Sequence, residues 1–391
     1  MNEIRFLENR ANPTVKICGR VDSKNAADVE EQITACLQGV TDPAVVLDAE
    51  DLEYISSAGL RVLLRLRKAH PEVRMENVST EVYEILEMTG FTEILPIVKA
   101  YRKLSVEGCE VIGEGANGSV YRLDPDTIVK VYTDPDALPD INKERELART
   151  AFILGIPTAI PYDVVRVGDL YGTVFELLNA KSFAELLMHD RENADHYITQ
   201  LADLLKLIHS TKVKPGSMPD MKETVLGWVD FLKDYLEEPV WKKLRALTEA
   251  VPAQDTMLHG DFHAKNVMMQ NGEVLLIDMD TLCEGHPIFE LAAVFNAYIG
   301  FNSADHSVAK SFLGLEWDDS VLFFNKFMHK YLEGRSEEEI QEIIKKASIV
   351  GFTRILRRTI KRYGYEDGKP LIDKARECLD KNIPEVDSLY F

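Results

Sequence analysis

Residues 258–266 read LHGDFHAKN, with Asp261 and Asn266 five positions apart on a polar stretch between apolar runs. Twelve residues beyond Asn266, the run VLLIDMD delivers Asp278 and then Asp280. Two carboxylates and an amide oxygen are hard donors, and magnesium takes one or two carboxylates together with nucleotide phosphates and retained waters. The chemistry these residue types suit is phosphoryl transfer from ATP. Asp261 would orient or deprotonate an attacking hydroxyl, while Asn266, Asp278 and Asp280 would offer oxygens to Mg2+.

A phosphate cradle is needed upstream. Gly113, Gly115, Gly118 and Val120, within EVIGEGANGSVYRL, fit G-x-G-x-x-G-x-V. Glycine triplets also mark dinucleotide folds, but those turns open a helix, whereas SVYRL after Gly118 is strand-like. A hairpin lying over phosphates is therefore expected. Lys130 stands in the apolar strand TIVKVY, where an ammonium must either reach solvent or meet an anion. In the helix INKERELARTAFIL, Glu144 shares a face with Leu147, Ala148 and Ala151, so it is the expected partner of Lys130, with Glu146 as the alternative. Glu176, Leu177 and Leu178 fall where two lobes would join and where backbone groups could meet a flat heterocycle.

Together these segments resemble the protein-kinase-like superfamily, in particular its aminoglycoside phosphotransferase and choline kinase branch. The resemblance runs from about residue 108 to 391 and rests on GEGANGSV, TIVKVY, LHGDFHAKN and IDMD. It implies phosphate cover by Gly113 to Gly118, α/β-phosphate contact by Lys130, an ion pair with Glu144, catalysis by Asp261, and magnesium ligation by Asn266 and Asp278. Protein kinases carry arginine at the place of Gly260, lysine at the place of His263 and Phe-Gly at the place of Met279-Asp280, and they close a long activation loop with Ala-Pro-Glu. None of these is present, and TLCEGHPIFELA runs directly from the metal aspartate into an apparent helix. A small-molecule hydroxyl acceptor is the favoured reading. His263 could reach the γ-phosphate, His259 is expected to hold its loop, and His286 reads as structural. Glu290-Leu291-Ala292 replaces the Asp-Leu-Ala usual in this branch.

The helices read from Ala304 onward would wall the acceptor. The −20 formal charge opposes phosphate-backbone binding by nucleic-acid sites and would steer a cationic acceptor. Arg354, Arg357, Arg358, Lys361 and Arg362 point the other way, although at helical spacing such a run usually forms a solvated face.

The first hundred residues alternate strand and helix patterns, the mark of an α/β layer. Ser23 is expected to cap a helix with Ala27, Val29, Ile33 and Leu37 on one face, and Ser79 or Thr80 to cap a later helix ended by Gly90. This part resembles the STAS family of sulfate transporters and anti-sigma-factor antagonists, through VVLDAEDLEYISSAGLRVLL and EVYEILEMTGFTEIL. The resemblance implies a protein partner and a phosphorylatable serine at Ser57, with Ser56 in place of the usual aspartate. Read without the resemblance, Ser57 is a helix-capping hydroxyl.

The expected architecture is an α/β STAS domain with a mixed sheet and helices (1–100), a linker (101–108), and an α+β bilobal protein-kinase-like fold with an N-lobe (109–178) and a mostly helical C-lobe (179–391). Five scattered cysteines without a CxxC pair argue against a disulfide framework and a zinc site. No run approaches the roughly 18 apolar residues of a membrane span, and the amino terminus lacks a secretory h-region, so a cytoplasmic protein is expected. Two other functions fit the same residues: a Ser/Thr protein kinase acting on Ser57 or on a partner, and a binding protein gated by nucleotide.

Overall fold

The computed structural model describes residues 4–7, 13–40, 44–115, 118–159, 161–178 and 180–391. The Ala116-Asn117 tip of the glycine-rich turn lies outside the described residues. The chain divides into two compact units, Met1–Ser105 with Val164–Asp169, and Val106–Asp163 with Leu170–Phe391. No helix among the described residues is long and apolar enough to cross a membrane.

The first unit contains β1 (Ile4–Leu7), β2 (Thr14–Ile17), β3 (Gly19–Val21), α1 (Ala26–Cys36), β4 (Val46–Asp48), β5 (Leu52–Ile55), α2 (Ser57–Ala69), β6 (Arg74–Val78), α3 (Thr80–Met88), β7 (Ile97–Lys99) and β8 (Arg102–Lys103). Its main sheet has the order β1-β2-β4-β6-β7. Only β1 and β2 are antiparallel; the other pairs are parallel, which requires crossovers, and the helices supply them. Val15, Leu47 and Met75 on the parallel strands are almost wholly buried, in keeping with the apolar run Ala44–Leu47 that leads into β4. Val29, Ile33, Leu63, Leu66, Val82 and Leu86 complete the core from the helices.

Two expectations about caps are corrected. Helix α1 starts at Ala26 behind Asn25, with no side-chain cap, so Ser23 does not cap it; Ala26, not Ala27, joins Val29 and Ile33 inside. On α2 the cap is Ser56, whose hydroxyl accepts the Ala58 N–H at 3.2 Å, so Ser57 is an exposed first helical residue. Ser79 caps α3 and Gly90 follows it in the left-handed region, as expected.

The second unit opens with β9 (Glu110–Gly115), β10 (Gly118–Arg122), β11 (Thr127–Tyr132), α4 (Leu138–Ile153) and β13 (Leu170–Glu176), while β12 (Pro161–Val167) is divided, its residues from Val164 onward counting with the first unit. Its strands β13, β11, β10 and β9 are successive neighbours in a six-stranded sheet. Strands β9 and β10 pair antiparallel, Gly118 opposite Gly115, so the glycine-rich segment is a hairpin and not the entrance to a helix. Then come β14 (Lys181–Ser182), α5 (Phe183–His189), α6 (Ala194–Ser210), α7 (Met221–Phe231), α8 (Glu238–Glu249), β15 (Met257–Leu258), β16 (Val267–Gln270), β17 (Glu273–Leu276), β18 (Cys283–Glu284), α9 (Ile288–Tyr298), α10 (Ser307–Leu313), α11 (Trp317–Tyr331), α12 (Glu337–Asp367) and α13 (Lys369–Asn382).

Helix α9 is buried along its whole length, and α6, α7, α11, α12 and α13 pack their apolar residues into the same core. Around that core two short strand pairs set the chemistry. Leu258 pairs with Cys283 and Val267 with Leu276. The segment from 259 to 266 and the turn from 278 to 282 are thereby held side by side.

Candidate functional site

A cleft of about 510 Å³ in the second unit is lined by Gly113, Gly115, Gly118, Val120, Lys130, Glu144, Glu176, Leu178, Asn266 and Asp278. That volume suits a nucleotide-sized ligand. All eight residues expected to contact nucleotide lie in this one cleft. Ile128, Thr173, Phe175, Met268 and Ile277 also line it; of these, Ile128 could have been read from the strand alternation that puts it on the Lys130 side of β11.

Lys130 is opposite Val120 on β10 and Thr173 on β13, a register that aims its stem into the cleft. Its Nζ lies 3.4 Å from Glu144 Oε1 and 3.7 Å from Asp278 Oδ1. Burial acts against the ammonium, and Glu144 foremost, with Asp278 and Asp280, outweighs it, so the lysine is held above its ordinary pKa. Glu144 is buried on α4 and also accepts the Tyr132 hydroxyl at 2.8 Å. Glu146 is not the lysine's partner in this arrangement.

Asp278 sits in the left-handed region at φ 64°, a conformation that Asp tolerates better than most residues. Asn266 donates Nδ2–H to the Asp261 carbonyl at 3.0 Å, which fixes the amide, and among the described residues no donor meets its Oδ1. Asp280 is not brought into the cleft. It lines a neighbouring hollow with Tyr132, Asp134, Lys143 and Glu144, where burial first, then Asp278 and Glu144, push its carboxyl up to about 6. Among the described residues no group of three or more His, Cys, Asp or Glu side chains forms a metal cage.

The Asp261 loop is held by partners distant in sequence. Glu290, wholly buried on α9, accepts the Gly260 N–H at 2.9 Å and the Phe262 N–H at 3.2 Å. Burial raises its pKa, and the backbone donors resist that shift. His259 Nε2 donates to the Ile277 carbonyl at 3.1 Å, and the Thr281 hydroxyl donates to the His259 carbonyl at 2.7 Å. His259 therefore ties the two segments together and is fully buried.

His263, also buried, puts Nε2 at 3.5 Å from Asp261 Oδ2 and its ring edge-on to Phe312 at 5.0 Å. His286 is structural: its Nδ1 accepts the Ile288 N–H at 3.1 Å. Burial opposes ionisation of Asp261, but His263, Arg354 and His259 together bring its carboxyl down to about 2.

Arg354 corrects the reading of the basic run as a solvated face. It donates to the Gly260 carbonyl at 3.2 Å and to Asp261 Oδ1 at 3.5 Å, with a quarter of its side chain exposed. Glu290, Thr281 and Arg354 were not foreseen in these roles. Glu290 occupies the place of the usual aspartate in Glu-Leu-Ala, which was a signal; Arg354, 93 positions from Asp261, had no local signal.

A glycine-roofed cleft with a buried lysine–glutamate pair, an aspartate on an ordered loop and a second aspartate after a strand defines a phosphotransferase. The phosphotransferase enzyme family model matches residues 108–320, and the chain belongs to that family. It is a kinase-like enzyme with a hydroxyl group as acceptor. The STAS domain model matches residues 5–104. BtrV of Bordetella bronchiseptica, whose name assigns it to the anti-sigma factor antagonists, is 37% identical over 86 residues, 21% of this chain and 73% of that protein.

Among solved structures, a thermostable mutant of aminoglycoside phosphotransferase APH(4)-Ia in its apo form has a TM-score of 0.50 at 13% identity, covering 77% of this chain and 97% of that one. The same enzyme in a ternary complex with AMP-PNP and hygromycin B gives 0.50 at 13%, covering 72% and 94%. At that identity the likeness shows the fold.

Proposed function

We propose that the chain transfers the γ-phosphoryl group of ATP, with Mg2+, to a hydroxyl of a small molecule. In the same reading residues 1–100 are a regulatory or partner-binding module, joined through 101–108 to an N-lobe (109–178) and a C-lobe (179–391). The observation that carries it is the gathering of the glycine hairpin, the Lys130–Glu144 pair, Asn266 and Asp278 in one cleft, with Asp261 on the loop that Asn266 anchors. Complexes of related folds with nucleotide and a hydroxylated small molecule agree with that class of substrates.

The acceptor oxygen forms a bond to the γ-phosphorus as the bond from that phosphorus to the β–γ bridging oxygen breaks, and ADP leaves with the electron pair. The acceptor proton passes to Asp261 and then to solvent. A carboxylate held at about 2 is a weak base, so Asp261 serves mainly to orient the hydroxyl, taking the proton late in a loose transition state. Lys130 meets the α- and β-phosphates, Gly113 to Gly118 cover them, and the backbone at Glu176 to Leu178 meets the base. His263 buttresses Asp261.

Asn266 Oδ1 and the Asp278 carboxylate, which is 45% exposed, suit magnesium, an ion that uses few protein ligands. The ion would neutralise charge on the β- and γ-phosphates. Asp280 is left out of this ligand set.

The test is an ATP-dependent transfer screen with the full chain against aminoglycosides, amino alcohols, sugars and nucleosides. Asp261→Ala should abolish transfer and retain nucleotide binding; full transfer in that variant would sink the assignment. A second reading, phosphorylation of Ser57 in cis or in a partner, draws on the exposed hydroxyl that Ser56 frees by capping. Mass spectrometry after incubation with ATP decides it, since absence of phosphoserine removes it.

A further inference from the structure

Arg354, Arg358, Lys361 and Arg362 share one face of α12, because residues four, seven and eight apart line up on a helix. That face begins at Asp261, through Arg354, and runs for about 12 Å at the helical rise. Aromatic rings flank it. Arg354 lies over Trp228 at 5.8 Å and Lys361 over Phe231 at 5.3 Å, both on α7; Arg358 lies over Phe301 at 5.0 Å, and Arg362 over Tyr363 at 5.4 Å. In each case the charged head itself lies over the ring, a contact with the ring face that uses none of the N–H donors as hydrogen bonds and leaves them able to meet an anion.

The chain has 65 acidic residues against 45 basic ones, and many of its arginines are paired, Arg65 with Glu30 and Arg245 with Asp230 among them. Among the described residues, however, no carboxylate lies within 4 Å of Arg358, Lys361 or Arg362. Arg358 reaches the surface, yet partial desolvation of its guanidinium, then Arg354 and Arg362, depress its pKa against the pull of Tyr363 and Asp261. Asp261 counters Arg354 and acts on Arg358, and the positive charge gathered in excess of it disfavours a polycationic acceptor and would be relieved by an anion.

We propose that the acceptor is a hydroxyl compound carrying an anionic group, a phosphate or a carboxylate, which Arg358 and Arg362 bind while Asp261 orients the hydroxyl. The proposal rests on the phosphotransfer reading of Asp261 and narrows its substrate class.

Calorimetric titration of the full chain, saturated with ADP and Mg2+ to fill the nucleotide cleft, tests it. The probes are glycerol 3-phosphate, glycerate, uncharged glycerol and cationic kanamycin. One or both anions should bind at least about tenfold more tightly than glycerol or kanamycin, and the stronger of the two identifies the group. The double variant Arg358→Ala, Arg362→Ala should weaken the anion about tenfold or more, as expected for loss of charge-assisted contacts, and leave ADP affinity and the thermal midpoint unchanged. Glycerol or kanamycin binding as tightly as the anions, no anion binding, or anion binding untouched by the double variant would each overturn the proposal. Failure of ADP to bind would instead remove the kinase reading, and the same titration of ADP-free protein still reports whether Arg358 and Arg362 hold an anion.

Discussion

Glu290 touches no substrate in this account, yet it decides where Asp261 sits. A carboxylate with no exposed surface that accepts two backbone N–H groups leaves both donors orphaned when it is removed, at about 1–3 kcal/mol each. Glu290→Ala should lower stability by several kcal/mol and lower kcat by about a hundredfold or more, with ATP affinity nearly preserved. Glu290→Gln, which retains one acceptor oxygen, should fall between. Thermal midpoints and kcat against nucleotide Kd for both variants separate these effects. Equal kcat in Glu290→Ala and the native protein would remove the positioning role. Lys130→Ala should behave oppositely, losing nucleotide affinity and leaving Glu144 buried without its cation, a change that titration with ATP reads directly.

At the scale of elements, two glycines serve different ends. Gly260 has φ +83°, and a Cβ there would come within 2.4 Å of the Thr281 carbonyl oxygen. Neither the arginine of protein kinases nor even alanine fits, and Arg354 supplies a guanidinium to this loop from α12 instead. Gly260→Ala should therefore cost about 3 kcal/mol or more and disable transfer. At Gly113 a Cβ would meet Val120 at an ordinary 3.7 Å, so Gly113→Ala should fold normally and alter mainly KM for ATP. Thermal melts and steady-state kinetics check the pair; a destabilised Gly113→Ala or a native-like Gly260→Ala contradicts the packing described.

The elements themselves were largely legible. The glycine spacing with a strand-like flank predicted the β9–β10 hairpin, and the apolar face of α4 singled out Glu144 over Glu146. The Ser23 cap failed because Asn25 turns its side chain back to the Asp22 N–H, a local choice that composition does not reveal. Arg354 failed for another reason: periodicity reports that residues share a face, and cannot report what a tertiary fold lays against it.

Across the whole molecule, two buried histidines link stability to pH. His286 is brought down to about 4 by burial and then by Lys346, and His209 to about 3 by burial and then by His286. The unfolded chain protonates both near 6.5, so it binds more protons than the folded state below that value. Stability is full above about 6.5 and is lost as pH falls toward 4 and below, at about 1.4 kcal/mol for each histidine by pH 5.5. His286→Asn should flatten the change in thermal midpoint between pH 7.5 and 5.5, and an unchanged slope would contradict its neutral burial.

The two units have separate apolar cores. The central claim is that phosphate leaves ATP for a small hydroxyl compound under the direction of Asp261. The direct measurement is 31P NMR of the full chain with ATP, Mg2+ and pooled hydroxylated metabolites that include anionic members, alongside Asp261→Asn. The account predicts a new phosphomonoester resonance that stays with the small-molecule fraction after ultrafiltration and is absent with Asp261→Asn. A phosphate signal confined to the protein fraction, or a phosphomonoester formed equally well by the variant, would contradict it.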